Sequence, residues 1–131
     1  MSLTKKNLRE KDFHNELQSR PKGRFENIFY KAIANIWDDF YEHLKKNSRN
    51  AEVLDYGCGV GPSIIEVSNY KPKKVTGIDI SEISIKKAKD KTNYLGSLIE
   101  LKVDNCEKTS FENNQFDLVY GHGILHHLEF S

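Results

Sequence analysis

The stretch that decides the fold spans residues 53–61 and reads Val53-Leu54-Asp55-Tyr56-Gly57-Cys58-Gly59-Val60-Gly61. An apolar run ends in an acidic residue, and glycine then occupies three alternate positions. This pattern predicts a buried strand followed by a loop with almost no side chains, in which glycine tolerates positive φ and lets a ligand approach the backbone. Pro62 suits the first turn of a helix. The stretch therefore predicts a strand, a glycine loop and a helix N-terminus, whose free amides favour an anionic or polar ligand.

The spacing of the glycines separates two kinds of nucleotide site. A dinucleotide-binding loop, G-x-G-x-x-G, needs glycine at position 62, where proline stands. A phosphate-binding P-loop ends in Gly-Lys-Ser or Gly-Lys-Thr, and the chain has neither. What remains, D-x-G-x-G-x-G, resembles the first motif of the class I S-adenosylmethionine-dependent methyltransferases. A glycine-rich turn without a ligand is the alternative for such a short motif.

The composition limits the class of protein. With 131 residues and a formal charge of +1, the chain is long enough for one domain and has no general attraction to nucleic acid or membrane. Residues 1–50 carry 11 basic and 7 acidic side chains and residues 51–131 carry 9 and 12, which a solvated basic leader and helix face explain. Cys58 and Cys106 form no metal pattern, and no secretory signal or bilayer-spanning apolar stretch is present. The expected setting is reducing and cytoplasmic.

Three segments are expected along the chain. Residues 1–23 are polar and predict a flexible leader with a short helix around residues 13–17. Residues 24–48 predict an N-terminal amphipathic helix that packs on the core or, alternatively, caps a substrate pocket. Residues 49–131 predict an S-adenosylmethionine-binding Rossmann-like domain. The apolar stripe of the N-terminal helix consists of Phe25, Ile28, Phe29, Ala32, Ile33, Ile36, Trp37, Phe40 and Leu44.

Strands and helices alternate after the glycine loop. Strands are predicted over 75–81, 98–103 and 116–120, and helices over 63–70, from an N-cap at Ser81 through Leu95, and from Ile124. This alternation predicts an α/β fold with a Rossmann-like, doubly wound and mostly parallel sheet.

Candidate ligand-binding groups follow each predicted strand. The glycine loop follows the first, Asp79 the second, Asp104 the third and residues 120–122 the fourth. Ligands of open α/β sheets bind beyond these strand ends, so the groups should share one site. Asp79 is predicted to accept hydrogen bonds from a ribose diol, with a solvated turn as the alternative.

The resemblance implies roles for further residues. Asp104 would accept from the adenine amino group and the amide of Asn105 would serve a ring nitrogen, although Asp-Asn is also common turn chemistry. Asp55 would order the glycine loop and Ile80 would contact the adenine face. The expected cofactor is S-adenosyl-L-methionine, and its expected contacts are Asp55, Gly57, Cys58, Gly59, Gly61, Asp79, Ile80, Asp104, Asn105 and Gly121.

Residues 116–128, which end in Leu125-His126-His127-Leu128, resemble the fourth-strand motif of the family's small-molecule enzymes, including the quinone-biosynthesis type. Glycine and histidine stand at 121 and 122, where serine and asparagine are frequent. His122 is the candidate catalytic general base. His122 and His126 are four residues apart, but no third ligand completes a zinc pattern, so no metal is expected.

The resemblance covers residues 50–130 and only the first four of the family's seven strands, whose order is 3-2-1-4-5-7-6. We therefore expect the donor-binding half of a methyltransferase, truncated after the fourth strand, with weak or no turnover alone. A small-molecule acceptor is expected, without nucleic acid or membrane, together with self-association through the exposed edge of the fourth strand. The alternatives are a non-catalytic nucleotide-binding or regulatory module and a nicotinamide-dependent oxidoreductase, which Pro62 disfavours.

Overall fold

A computed structural model of the protein describes residues 3–19 and 34–128. The α-helices in these ranges are α1 Lys5–Ser19, α2 Ala34–Ser48, α3 Pro62–Ser68 and α4 Glu82–Thr92. The strands are β1 Glu52–Tyr56, β2 Lys74–Asp79, β3 Ile99–Val103 and β4 Leu118–Tyr120. Short 3-10 turns lie at Asn93–Leu98 and Leu125–His127.

The strands form one parallel sheet in the order β3-β2-β1-β4. Asp55 of β1 lies in register with Gly77 of β2 and with Tyr120 of β4. The predicted α/β, Rossmann-like parallel sheet is confirmed. Because β2 and β3 extend the sheet to one side of β1 and β4 lies on the other, the strand order switches beside β1. This switch point is where open α/β sheets bind their ligands.

Apolar side chains cover both faces of the central strand β1. Val53 and Leu54 point to opposite faces and are 0% and 5% exposed. The larger core cluster includes Val53, Ile64, Val67, Val75, Ile85, Ala88, Leu101 and Tyr120. The smaller cluster contains Leu54, Ile78 and Cys106, with Phe111, Phe116 and Ile124 packed against it. A continuous apolar run is typical of a parallel strand that is buried on both faces.

The first helix is longer than the sequence predicts. The sequence predicts a short helix around residues 13–17 of the leader, whereas α1 covers Lys5–Ser19. Its start is capped reciprocally, because the Thr4 amide donates to the Asn7 side chain over 3.0 Å and the Asn7 amide donates to the Thr4 hydroxyl over 3.1 Å. Lys11 of α1 also forms an ion pair with Glu82 of α4 at 2.6 Å. Caps and tertiary contacts therefore stabilise a helix that has no apolar stripe.

The second helix confirms only part of the predicted apolar stripe. Residues 24–33 lie outside the described residues. Within α2, Leu44 is buried and Phe40 packs against the larger core cluster. Ile36 is 64% exposed, so its predicted packing on the core is wrong.

Several predicted boundaries shift in the structure. Ser81 caps α4 as predicted, with its hydroxyl accepting from the Ser84 amide over 3.1 Å. The helix nevertheless ends at Thr92 instead of Leu95, and a 3-10 turn with Gly96 at φ 56° follows. The helix predicted from Ile124 is a single 3-10 turn.

The strand β4 forms one edge of the sheet, and Val119 in it is 56% exposed. Across residues 3–19 and 34–128, no helix has the length and apolar character that crossing a bilayer requires.

Candidate functional site

A cavity of about 330 Å³ lies beyond the carboxyl ends of β1 and β2. Its walls are the glycine loop after β1, the end of β2, the loop after β3, the turn after β4 and one face of α1. The predicted contact residues in the wall are Asp55, Gly57, Cys58, Gly59, Asp79, Ile80, Asn105 and His122. The predicted residues Gly61, Asp104 and Gly121 are not part of the wall.

The glycine loop has the backbone conformation that its sequence indicates. Gly57, Gly59 and Gly61 have φ values of 78°, 54° and 82°, which other residues rarely adopt. The Gly57 position also lacks room for a side chain, since a Cβ there would lie 2.8 Å from Ile124. The amides of Gly57 and Cys58 donate to the Ile78 carbonyl over 2.9 and 2.8 Å, which fixes the loop to the end of β2.

The carboxylate of Asp79 joins the glycine loop to helix α4. One oxygen accepts from the Gly59 amide and the other from the Ser81 amide, each over 2.9 Å. Asp79 is only partly buried and lines the cavity. A carboxylate offers about four acceptor positions, so Asp79 retains capacity to accept from a ligand hydroxyl.

The carboxyl group of Asp55 is 2% exposed and accepts from the Tyr120 hydroxyl over 3.1 Å. Burial raises the pKa of Asp55 to about 7, the charge of Asp79 raises it further, and the Tyr120 hydrogen bond opposes both. Asp55 was predicted to order the glycine loop, whereas its hydrogen bond joins β1 to β4. At neutral pH this group can therefore hold or release a proton at the floor of the cavity.

The carboxylate of Asp104 is not part of the cavity wall. It is 6% exposed and accepts from the Asn105 amide over 2.8 Å, from the Ser110 amide over 3.0 Å and from the Ser110 hydroxyl over 2.8 Å. These bonds close the loop over residues 104–110. Asp104 therefore has the turn-forming role that the sequence offered as the alternative to an adenine contact. The Asn105 amide, predicted to serve a ring nitrogen, is already bonded to Asp104, although Asn105 does line the cavity.

Two predicted glycines lie behind the cavity wall. The Gly61 amide donates to the Cys58 carbonyl over 3.0 Å. A Cβ at Gly121 would lie 2.8 Å from the Tyr56 carbonyl oxygen, so this glycine permits β4 to leave the sheet close to β1.

The imidazole of His122 lines the cavity beside two aromatic rings of α2. Its centroid lies 4.0 Å from that of Trp37, with the rings at 70°, and 6.3 Å from that of Phe40. Partial burial lowers the pKa of His122, so the ring is neutral at neutral pH and can accept a proton. The two thiols that also line the cavity are poor nucleophiles, because burial raises the pKa of Cys58 and raises that of Cys106 to about 12.

Helix α1 supplies functional candidates that the sequence reasoning missed. Its cavity-facing residues are Asn7, Glu10, His14, Leu17 and Gln18. They recur at three- and four-residue steps, which places them on one helix face. That spacing is readable in the sequence, but a polar stripe does not by itself distinguish a cavity wall from a solvated surface. The pocket-capping role considered for residues 24–48 belongs, in the described part of the chain, chiefly to α1.

Known proteins are similar to this chain in sequence and in fold. The profile of a family described as a methyltransferase domain matches residues 53–131. The tRNA U34 carboxymethyltransferase of Nautilia profundicola is 31% identical over 91 residues, which are 70% of this chain and 30% of that enzyme. Phosphoethanolamine N-methyltransferase 1 of Arabidopsis thaliana is 30% identical over 124 residues, which are 89% of this chain and 25% of that enzyme. The chain thus spans less than a third of either relative.

Solved structures show the same fold. The PH0226 protein of Pyrococcus horikoshii is 33% identical, with a TM-score of 0.55, and the match covers 70% of this chain and 41% of that one. The magnesium protoporphyrin IX methyltransferase of Synechocystis PCC 6803, solved with bound S-adenosylmethionine, is 20% identical with a TM-score of 0.73. That match covers 98% of this chain and 67% of the other.

Proposed function

The chain belongs to the methyltransferase domain family, and from this premise we propose that its cavity binds S-adenosyl-L-methionine as the donor half of a methyltransferase. The observation that carries the proposal is the hydrogen bond from the Gly59 amide to Asp79, at 2.9 Å, in the wall of one cavity. It joins the glycine loop and the acidic strand end, the two features by which the sequence resembles this family. The cavity volume of about 330 Å³ is within the range of small-ligand pockets.

Each part of the donor has a candidate partner in the cavity. Asp79 would accept hydrogen bonds from the ribose hydroxyls, because its partly buried carboxylate has acceptor capacity left. Ile80 would contact the adenine face, and the Asn105 side chain lies in the same wall. The backbone at Gly59, where an added Cβ would meet nothing within 4 Å, would admit the methionine part close to the chain, and Gly57 lies in the same wall. Gly61, Asp104 and Gly121 are not part of the cavity wall, so we assign them no contact with the donor.

Methyl transfer from a sulfonium donor needs alignment more than acid–base chemistry. A lone pair of the acceptor forms the bond to the methyl carbon, the carbon–sulfur bond breaks, and its electron pair leaves sulfur as a neutral thioether. Holding the nucleophile, the methyl group and sulfur in line can supply about 7–11 kcal/mol of the barrier. A protonated acceptor also has to lose a proton, and the neutral His122 imidazole would accept it.

The acceptor we propose is a small molecule. Helix α1 forms one side of the cavity, and a concave site of this size suits a compact acceptor better than a polymer. Among the relatives, one is named for phosphoethanolamine and one for a tRNA nucleoside, so the family name alone does not select the acceptor. Weak turnover by this chain alone, its cytoplasmic setting and its self-association through β4 stay predictions.

Titration calorimetry with S-adenosylhomocysteine tests the proposal directly. We expect the parent chain to bind this product and not NAD, and we expect Asp79→Asn to weaken binding by about tenfold, the equivalent of one hydrogen bond to a charged group. Asp90→Asn, on the exposed side of α4, is the matched control and should bind as the parent does. Binding of NAD in place of S-adenosylhomocysteine, or unchanged affinity in Asp79→Asn, would contradict the donor assignment.

A further inference from the structure

Three side chains that commonly ligate metals meet at the wall of the cavity. They are Glu10 and His14 of α1 and His127 in the turn after β4, and one ligand atom from each lies within 4.8 Å of the others. The Glu10 Oε2 atom is 2.9 Å from His127 Nδ1 and 3.9 Å from His14 Nε2. Among residues 3–19 and 34–128, this is the single group of histidine, cysteine and acidic side chains with such geometry.

Local structure brings the three groups together from distant parts of the chain. Glu10 and His14 are four residues apart in α1, so both side chains lie on the same helix face. The 3-10 turn Leu125–His127 directs His127 toward α1, and its amide donates to the Ile124 carbonyl over 2.9 Å. The imidazoles of His14 and His127 meet edge to face, with centroids 5.2 Å apart.

The separations of the three ligand atoms can be compared with those of ligands around one small cation. Nitrogen and oxygen ligands lie about 2.0–2.1 Å from zinc, so tetrahedral ligands are about 3.4 Å from one another. The two observed separations from Glu10 Oε2, 2.9 and 3.9 Å, fall on either side of this value, and all three ligand atoms lie within 4.8 Å of one another. Two imidazoles and one carboxylate favour zinc or another transition metal over magnesium or calcium, which prefer oxygen ligands.

The surroundings leave room for further ligands. The side chains of Glu10, His14 and His127 are 29%, 31% and 24% exposed, and all three line the cavity. A metal held by three protein ligands keeps at least one coordination position open for water or substrate. Here the open position would face the cavity in which the donor is proposed to bind.

We propose that Glu10, His14 and His127 form a binding site for a divalent transition metal, zinc being the ion that fits best. The metal fastens α1 to the turn after β4, so that α1 is held across the cavity. It also presents an open coordination position to a ligand inside. The site does not depend on the proposed methyl transfer, because it is assembled from side chains that have no part in donor binding. The sequence predicts no metal, because His122 and His126 lack a third ligand, and the proposed site uses a different set of side chains.

Cobalt(II) substitution is the test, because cobalt takes zinc sites and its visible absorption reports the ligand geometry. We expect the untagged, metal-free chain to bind one equivalent of Co²⁺ with visible bands that one equivalent of Zn²⁺ removes. His14→Ala and His127→Ala should each weaken Co²⁺ binding by at least about tenfold. Replacing a residue that only supports a metal ligand already lowers metal affinity by that factor. His43→Ala, an exposed histidine of α2, should leave binding unchanged.

A second pair of measurements separates loss of a ligand from loss of folding. Glu10→Gln preserves the size and helix propensity of the side chain but removes its charge, and it should bind Co²⁺ at least about tenfold more weakly with an unchanged circular dichroism spectrum. Zinc should also slow hydrogen exchange of the α1 amides in the parent and not in Glu10→Gln. Absence of cobalt bands, or equal Co²⁺ affinity of the parent and Glu10→Gln, would overturn the proposal and leave Glu10 as a polar contact of His127 at 2.9 Å.

Discussion

The hydroxyl of Tyr120 donates to the carboxyl group of Asp55 over 3.1 Å, between residues that lie in register on adjacent parallel strands. Both side chains are buried, at 6% and 2% exposure. The pair therefore ties the edge strand β4 to the central strand β1 directly beneath the cavity. Burial raises the pKa of both groups, so their protonation affects stability as well as the charge of the site.

Replacing Tyr120 by phenylalanine should destabilise the protein by about 1–3 kcal/mol above pH 7. The change removes the one hydrogen-bond donor from a buried carboxylate and leaves that carboxylate unsatisfied. The free energy of unfolding, from urea titration, measures the effect. Tyr94→Phe, at a position that is 68% exposed, is the control and should stay within about 0.5 kcal/mol of the parent. Equal stability of Tyr120→Phe and the parent would mean that the hydrogen bond does not form in solution.

Asp55 should make the protein less stable as pH rises from about 4 to about 7. The folded state holds the Asp55 proton up to a pKa of about 7, whereas the unfolded chain releases it near 3.8, so the folded state binds more protons in this window. The contribution is about 1 kcal/mol per pH unit. Unfolding free energies at several pH values should therefore fall more steeply in the parent than in Asp55→Asn.

The comparison with Asp55→Asn is needed because other groups act in the same range. The pKa of His122 is lowered, so the unfolded chain binds the histidine proton more readily and stability rises with pH near 6 from that source. Glu100, whose pKa is lowered to about 2 by Lys102 and Lys74, contributes stability that is lost only below about pH 4.5. Parallel pH profiles of the parent and Asp55→Asn would contradict the elevated pKa of Asp55.

Alanine at Gly57 should destabilise the fold more than alanine at Gly59. Both residues have positive φ, at 78° and 54°, so alanine carries a backbone penalty of about 1 kcal/mol at each, but a Cβ at Gly59 would meet nothing within 4 Å. Only at Gly57 would the new Cβ meet a neighbour, the Ile124 side chain at 2.8 Å, which adds about 1–3 kcal/mol of overpacking. Thermal unfolding of the two variants gives the difference. If the two variants lose the same stability, the Ile124 side chain can move to make room for the Cβ at no free-energy cost, which would contradict the prediction.

Tryptophan fluorescence should report the protonation of His122. Trp37 is the only tryptophan in the chain, and its ring centroid lies 4.0 Å from that of His122. A fluorescence titration should therefore show a transition below the ordinary histidine pKa of 6.5, since burial lowers the pKa of His122. The transition should vanish in His122→Ala and persist in His43→Ala. Its persistence in His122→Ala would place the titrating group elsewhere.

Alanine at Thr4 should loosen the start of α1. The change removes the hydroxyl that caps the Asn7 amide, which costs about 1 kcal/mol in comparable helix caps. Hydrogen exchange of the first-turn amides should accelerate by about fivefold, and Thr4→Ser, which retains the hydroxyl, should exchange at nearly the parent rate. Unchanged exchange in Thr4→Ala would show that the tertiary contacts of α1 hold the start of the helix without the hydroxyl cap.

The sheet was predictable because its signals are local. The apolar run before Gly57 and the acidic end of β2 each specify a strand and its last residue, and Ser81 marks the start of the next helix. Parallel strands joined by helices then leave few possible arrangements. The core and the glycine loop follow from the same residues.

The rest depends on contacts between distant residues. Helix α1 has no apolar stripe, and it is stabilised by Asn7 as a cap and by Lys11 against Glu82. Asp104 was assigned to a ligand, but Ser110, six residues later, supplies two hydrogen bonds that turn its carboxylate inward. Neither partner is indicated by periodicity or by a motif. The group proposed to bind a metal was missed for the same reason, because His127 is 113 residues from His14.

The position of α1 across the cavity has a kinetic consequence. Five residues of this helix belong to the cavity wall, so movement of α1 would widen or narrow the opening of the cavity to solvent. We therefore expect changes that fasten or loosen the helix to alter the association and dissociation rates of a bound molecule together. The residues that hold α1 in place would then affect how long a ligand stays, whereas the residues that contact the ligand affect how tightly it binds.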